Sequence, residues 1–167
     1  QRQMCIRDRS DVYKRQGNDR LEGGRGTDTA GYASSSAAVS VNLATGTGTG
    51  GDAQGDSYNA IENVLGSAFA DTLTGSGGDN TLWGGAGEDR IAGGSVDDRI
   101  AGAAGADTPD AGAGGEGLDY SASSAAVLVD LAAGTGEGGD AQGDRFAGFE
   151  SVTGSAFGDR LSGDAAD

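Results

Sequence analysis

The sequence contains no histidine and almost no cysteine or lysine. Without histidine, Ser-His-Asp triads and imidazole-ligated zinc sites are excluded. The single cysteine, Cys5, cannot form a disulfide framework. The single lysine, Lys14, leaves the chain beyond residue 16 without the basic residue that a P-loop or a Schiff base needs. We therefore predict that this chain is not an enzyme, and that any catalytic domain lies outside it.

Long apolar runs and excess positive charge are also missing. No run approaches the roughly 18 apolar residues that a transmembrane helix requires, so we predict no membrane insertion in this segment. The formal net charge is −15. Nucleic acids and anionic membranes attract basic surfaces, so neither is an expected partner. The negative charge favours a polyvalent cation as a binding partner.

Glycine, with 34 residues, is the abundant residue type, and from 66 to 119 it follows a nine-residue period. The blocks read GSAFADTLT, GSGGDNTLW, GGAGEDRIA, GGSVDDRIA, GAAGADTPD and AGAGGEGLD. Position six is acidic or an amide in every block: Asp71, Asn80, Asp89, Asp98, Asp107 and Glu116. Position eight is apolar in every block: Leu73, Leu82, Ile91, Ile100, Pro109 and Leu118. Such a period indicates a repeat architecture rather than a disordered low-complexity segment.

The period G-G-x-G-x-D-x-U-x, with U a large aliphatic residue, resembles the calcium-binding nonapeptide of the RTX family (repeats-in-toxin, or hemolysin-type calcium-binding repeats). The resemblance implies an all-β fold, a right-handed parallel β-roll or β-solenoid, with calcium ions in its turns. Calcium accepts backbone carbonyls beside carboxylates, which fits a glycine turn that ends in an acid. The candidate calcium ligands are Gly84, Gly85, Gly87, Asp89, Gly102, Gly105, Asp107, Asp71, Gly75, Gly77, Gly78, Asn80, Gly93, Gly94, Asp98, Glu116, Gly23, Gly24, Gly26, Asp28 and Asp19.

Two nonapeptides make one turn of the roll in this family, so acids eighteen residues apart are expected to stack. One edge then holds Asp71, Asp89 and Asp107, and the other holds Asn80, Asp98 and Glu116. The second edge is expected to bind more weakly, because Asn80 is uncharged and Val96 replaces a turn glycine that favours positive φ. The best-preserved turn is 84–89. The turns GSAFAD, ending at Asp71, and GSAFGD, ending at Asp159, keep the acid without the glycines at positions two and four; a structural turn is preferred there over a half site.

One buried aliphatic side chain per nonapeptide does not offset the conformational entropy of ordering nine residues. Stacked like charges widen the deficit. A cation that binds only the folded state supplies the missing stability by mass action. The sequence therefore predicts folding that is coupled to calcium binding.

Residues 1–16 differ from the rest of the chain, since they hold five of the eleven basic residues. Met4–Asp8 (MCIRD) and Val12–Gln16 (VYKRQ) are both encoded by frames of one string, ATGTGTATAAGAGACAG, which resembles a transposase library adapter. We interpret 1–16 as a non-native, disordered segment and exclude it from the fold. The repeat frame starts within a block at Gly17 and stops within one at Asp167, which favours a piece of a longer protein.

A longer unit interrupts the nonapeptides twice. Residues 32–75 match 120–163 at 28 of 44 positions without a gap, so the two copies are expected to share one structure. The predicted organisation is 17–31 (partial calcium turns), 32–65 (long unit), 66–119 (six nonapeptides), 120–153 (second long unit) and 154–167 (a further array). In each long unit an acidic group could hold another cation, but a solvated loop is the preferred interpretation: Asp52, Asp56 and Glu62, then Asp140, Asp144 and Glu150.

The RTX resemblance further implies a secreted, extracellular bacterial protein. Such a protein passes through the type I secretion machinery unfolded and folds on meeting calcium outside the cell. Two functions are compatible with this module. It is either a folding and secretion module attached to another domain, or a structural and adhesive segment of a large cell-surface repeat protein. The interleaved long units mildly favour the second.

Overall fold

The computed structural model describes residues 17–163 together with the backbone of two short upstream strands, and this part of the chain contains strands and two short 3₁₀ turns but no α-helix. The strands are β1 (Gln3–Cys5), β2 (Asp11–Tyr13), β3 (Arg20–Glu22), β4 (Thr29–Gly31), β5 (Ser40–Asn42), β6 (Thr47–Thr49), β7 (Ser57–Asn59), β8 (Asn63–Leu65), β9 (Thr72–Thr74), β10 (Thr81–Ala86), β11 (Arg90–Ser95), β12 (Arg99–Ala104), β13 (Thr108–Ala113), β14 (Gly117–Asp119), β15 (Leu128–Asp130), β16 (Thr135–Glu137), β17 (Ser151–Thr153) and β18 (Arg160–Ser162). The 3₁₀ turns are Gly51–Ala53 and Gly139–Ala141.

The chain alternates between two mainly parallel sheets. The first has the order β1-β3-β7-β6-β5-β9-β11-β13, and the second has the order β17-β14-β12-β10-β8-β4-β2. A third sheet, β16-β15-β18, pairs two strands of the second long unit with β18 of the segment that follows it. Within the array every parallel register is eighteen residues, as in Leu82 beside Ile100 and Ile91 beside Pro109. The predicted parallel β-roll with two nonapeptides per turn is therefore confirmed.

Each strand of the array contributes one aliphatic side chain to a thin core between the sheets. Leu73, Leu82, Ile91 and Ile100 are fully buried, and their strand neighbours are more exposed, apart from the buried Ala101. This arrangement follows from the two-residue periodicity of a strand, because position eight of the repeat faces inward while positions seven and nine face out. Pro109 is buried in β13, the last named strand of the first sheet, and its carbonyl oxygen accepts the N–H of Ala147 over 3.3 Å.

The long unit at 32–65 contributes three strands, β5, β6 and β7, to the first sheet and one strand, β8, to the second. In 32–65, β5 runs parallel to β9, β6 reverses direction between β5 and β7, and β7 returns beside β3. The wider turn has a thicker core, with Tyr32, Val39, Val41 and Tyr58 buried. The second copy repeats these pairings 88 residues later, including the parallel bridge of Asp110 with Ala147.

Outside this body, β1 pairs with β3 and β2 pairs with β4. These pairings differ from the disorder that composition predicts for 1–16, and they follow from the unpaired N–H and C=O groups that an open sheet edge offers to any extended segment. The remaining residues of 1–16, and 164–167 at the other end, lie outside the described residues. The interpretation of 1–16 as non-native stays a prediction.

Candidate metal centre: the turns along two edges

Position-six side chains form two continuous rows, one along each edge of the roll. In row one, the backbone N–H of Asp71 donates to Asp89 Oδ1 over 2.7 Å, and that of Asp89 donates to Asp107 Oδ1 over 2.8 Å. In row two, the N–H of Asn80 donates to Asp98 Oδ1 over 2.8 Å. Row one comprises Asp19, Asp56, Asp71, Asp89, Asp107, Asp144 and Asp159, and row two comprises Asp28, Glu62, Asn80, Asp98, Glu116 and Glu150. The two predicted edges are therefore present.

The glycines of the repeat make room for these acids. A Cβ on Gly84 would collide with Asp89 Oδ2 and lie 2.7 Å from the carbonyl oxygen of Gly102. Gly85 has φ +113°, where residues with side chains are strained. The same close approach to the position-six side chain occurs at the other position-one glycines: Gly23, Gly66, Gly75, Gly93, Gly102 and Gly154.

The remaining predicted glycines occupy different surroundings. Positive φ values occur at Gly24, Gly26, Gly87 and Gly94, and Gly105 packs against the carbonyl oxygen of Gly87. Gly77 and Gly78, by contrast, lie exposed with open space around them. Three described residues that are not glycine adopt the left-handed conformation as well: Ala60 at φ 52°, Val96 at φ 63° and Ala103 at φ 70°. Val96 thus adopts the positive φ that the sequence predicts for its position, with the strain expected of a β-branched residue.

Five row residues carry buried carboxylate oxygens that have no hydrogen-bond partner. These oxygens are Oδ2 of Asp89, Asp98 and Asp107, both carboxylate oxygens of Asp28, and both of Glu116. All five residues are buried. An unpaired charge in such a place is costly, so the arrangement calls for a positive ligand at the unpartnered oxygens.

The pKa values report the same electrostatic conflict. Burial raises the pKa of Asp89 to about 6, opposed by the N–H of Asp71 and supported by that residue's nearby carboxylate. Burial likewise raises the pKa of Asp107 to about 7, with Asp144 and Asp89 as like-charged neighbours. In row two, burial raises the pKa of Asp98 and of Glu116. Without a cation, these turns favour protonated carboxyls.

Where serine occupies position two of the repeat, the position-six side chain is satisfied without a cation. Ser67 donates its N–H to Asp71 Oδ2 over 2.5 Å and its hydroxyl to Asp71 Oδ1 over 2.8 Å. Ser76 donates its N–H to Asn80 Oδ1, and the Asn80 amide donates to the Glu62 carbonyl over 2.7 Å. A third serine, Ser155, donates to Asp159 Oδ1 over 2.6 Å. The preference for a structural turn in GSAFAD agrees with this bonding.

The structure differs from the solvated-loop interpretation of the long-unit acids. Asp56 and Asp144 are buried members of row one, and each accepts a backbone N–H through Oδ1, from Asp19 and Asp107 respectively. In row two, Glu62 and Glu150 accept the N–H groups of Asp28 and Glu116, each over 2.9 Å. The sequence analysis named these four acids but preferred a solvated loop for them, although the segment GGDAQGD, which ends at Asp56 and again at Asp144, is a lengthened form of the repeat turn.

The donor set fits calcium. Within residues 17–163, no three acidic side chains converge closely enough to form a metal site on their own. A cation in these turns must therefore use backbone carbonyls as well, and calcium accepts mixed cages of carbonyl and carboxylate oxygens. A glycine turn closed by a buried acid offers both kinds of oxygen. The fold and its turns place the chain in the class of cation-binding parallel β-rolls.

Comparison with known protein families gives one match. The family described as RTX calcium-binding nonapeptide repeat matches the chain in four copies, over residues 15–30, 65–100 and 91–115. The repeat array is therefore similar to the RTX calcium-binding nonapeptide repeats, which bind calcium. These matches cover the nonapeptides up to residue 115 and leave nearly all of both long units unmatched. No curated protein matches the chain. No helix in the described part of the chain is long and apolar enough to span a membrane.

Proposed function

We propose that five turns of this module hold calcium and that the module folds when they are filled. The proposed side-chain ligands are the residues with unpartnered oxygens: Asp28, Asp89, Asp98, Asp107 and Glu116. Carbonyl oxygens of the glycine turns complete each cage. Row one then has its strongest sites at Asp89 and Asp107, as the sequence predicts. Asp71 and Asn80 serve as hydrogen-bonded structural positions, and the exposed Gly77 and Gly78 have no part in binding.

The single observation that carries this proposal is the stack of unpartnered buried oxygens at eighteen-residue spacing. Asp89 and Asp107 are held in register by the bond from the Asp89 N–H to Asp107 Oδ1, so their free oxygens line the same edge. Like charges in that arrangement repel in the metal-free roll. Calcium removes the repulsion and supplies the missing partner at once.

Circular dichroism of the full chain tests the coupling. In chelator we expect a spectrum dominated by unordered chain, and millimolar calcium should restore the β signal. Magnesium at the same concentration is the matched control, because it demands octahedral geometry and keeps its water ligands, so it should restore little. A full β signal in chelator would contradict the proposal.

The module is further proposed to act outside the cell. RTX repeats are typical of secreted bacterial proteins, and calcium-coupled folding suits a chain that is exported unfolded through a type I channel. Whether the folded module serves secretion and folding or a cell-surface array is a second question. The two sheets that continue past the long unit at 32–65 favour the structural, adhesive role. The flanking open reading frame discriminates between them: further tandem repeats support an array, and a protease, lipase or pore-forming segment supports a secretion module.

A further inference from the structure

Each long unit contributes one aspartate to row one. One of the two carboxylate oxygens of that aspartate accepts a backbone N–H, as in a nonapeptide turn. Asp144 Oδ1 accepts the N–H of Asp107 over 2.8 Å, as Asp107 Oδ1 accepts the N–H of Asp89. Asp56 Oδ1 does the same for Asp19 in the first copy. In their bonds to backbone N–H groups, Asp56 and Asp144 therefore continue row one.

The other carboxylate oxygen is what distinguishes the two kinds of turn. Asp107 Oδ2 is buried without a partner, whereas Asp144 Oδ2 accepts the hydroxyl of Tyr120 over 2.7 Å. In the first copy Asp56 Oδ2 accepts the hydroxyl of Tyr32 over 2.9 Å. Both tyrosines are fully buried. A hydroxyl group thus stands where the nonapeptide turns leave an oxygen open.

The carbonyl oxygens of the long turns are engaged as well. Ala53 N–H donates to the Gly50 carbonyl over 2.9 Å, and Asp56 N–H donates to the Ala53 carbonyl over 3.1 Å. In the second copy, Ala141 N–H donates to the Gly138 carbonyl over 3.0 Å, and Asp144 N–H donates to the Ala141 carbonyl over 3.2 Å. The 3₁₀ turn therefore directs these carbonyls to neighbouring amides, not to a shared cation.

We propose that the Tyr32 and Tyr120 hydroxyls take the place of a calcium ion, so that the long units close row one without metal. The geometry recurs in two copies that differ elsewhere: the Tyr32 hydroxyl also lies 2.5 Å from that of Tyr58, while the second copy has Phe146 at the equivalent position. The tyrosine–aspartate bond is the part that both copies keep. Calcium in row one is then confined to the nonapeptides on either side of a long unit.

An isosteric pair of variants of the full chain tests this inference, which rests on the proposed calcium ligands. Asp107→Asn puts an amide N–H donor at the open oxygen, so one calcium per chain should be lost at saturation. In Asp144→Asn the amide still accepts the Asp107 N–H, and the Tyr120 hydroxyl can accept from its NH₂ group, so the number of bound calcium ions should not change. Equilibrium dialysis in saturating calcium, followed by metal analysis, gives both numbers.

The outcomes separate the two claims. An unchanged number in Asp107→Asn contradicts the proposed ligand set. One fewer calcium in Asp144→Asn overturns the tyrosine substitution. If the Asp144→Asn chain shows no β signal in calcium, the number of calcium ions bound by Tyr120→Phe tests the inference instead. That variant keeps the carboxylate and should bind the wild-type number of ions, and one fewer calcium would contradict the inference.

Discussion

The array at 66–119 and the long units at 32–65 and 120–153 build the same edge of the roll with different chemistry. In the array, short turns bring Asp89 and Asp107 together with a buried oxygen open on each. In the long units, a longer turn and a thicker core bring a tyrosine hydroxyl to the equivalent aspartate. The difference shows that a buried acid in this fold needs a partner, and that metal is one of two ways to supply it.

The largest expected effect comes from closing the space beside an array acid. In Gly84→Ala the new Cβ collides with Asp89 Oδ2. We expect about 1–3 kcal/mol of destabilisation from overpacking, and about 2.7 kcal/mol more where a calcium present at 100 times its dissociation constant is lost. Urea unfolding in saturating calcium measures the sum.

The control for that variant is Gly77→Ala, since no heavy atom lies within 4 Å of a Cβ placed there. It should unfold like the wild type, with the full number of calcium ions. A similar loss in both variants would mean that any added side chain disturbs the turns, and the specific role of the space beside Asp89 would be refuted.

A smaller effect is expected in the long unit, and it should be independent of metal. Tyr32→Phe leaves Asp56 Oδ2 without its hydroxyl donor, which costs about 1–3 kcal/mol. Tyr58→Phe removes a hydroxyl that is hydrogen-bonded to the Tyr32 hydroxyl, and should cost about 0.5–1.5 kcal/mol. Unfolding in saturating calcium gives both values. Equal losses of unfolding free energy in the two variants would contradict the assignment of the Tyr32 hydroxyl as the group that satisfies Asp56.

The sequence predicts the array far better than the long units, for a physical reason. A nine-residue period with one inward aliphatic residue, together with the two nonapeptides per turn that the RTX resemblance implies, fixes the register, so Leu82 could be paired with Ile100 in advance. The hydrogen bond from a position-two serine to the position-six acid is also local enough to be predicted, because Ser67 and Asp71 lie four residues apart in one turn. The hydrogen bond between Tyr32 and Asp56 could not be predicted from the sequence, since the chain reverses direction twice between them. No local period records such a reversal.

Acidity should stabilise the metal-free roll, whereas it weakens the calcium-bound one. The folded-state pKa values, about 6 for Asp89 and about 7 for Asp107, exceed the ordinary value of 3.8. Their protonation therefore contributes stability that is fully present below 3.8 and lost as the pH rises through 6 to 7. In calcium-free buffer, the β signal should be greater at about pH 5 than at about pH 8.

The control for the pH effect is Asp89→Asn combined with Asp107→Asn, because an amide does not titrate. Its β signal in calcium-free buffer should vary less with pH than that of the wild type. In saturating calcium the wild type should instead lose stability on acidification, since protons compete with the metal for the same oxygens. A β signal in calcium-free buffer that rises with pH would contradict the role assigned to the buried acids.

The smallest expected change in stability is a conversion of one kind of turn into the other. Ser76→Gly with Asn80→Asp creates a glycine turn with a full charge, and one additional calcium should bind at saturation. The change removes the Ser76 and Asn80 side-chain hydrogen bonds, each worth about 0.5–1.5 kcal/mol, so the cation's contribution is largely offset. Asn80→Asp alone is the decisive control. With Ser76 retained, the new acid has the same hydroxyl that satisfies Asp71 through Ser67, so no calcium should be gained. An extra ion in the single variant would show that charge alone, rather than the lack of a hydroxyl partner, decides where calcium binds.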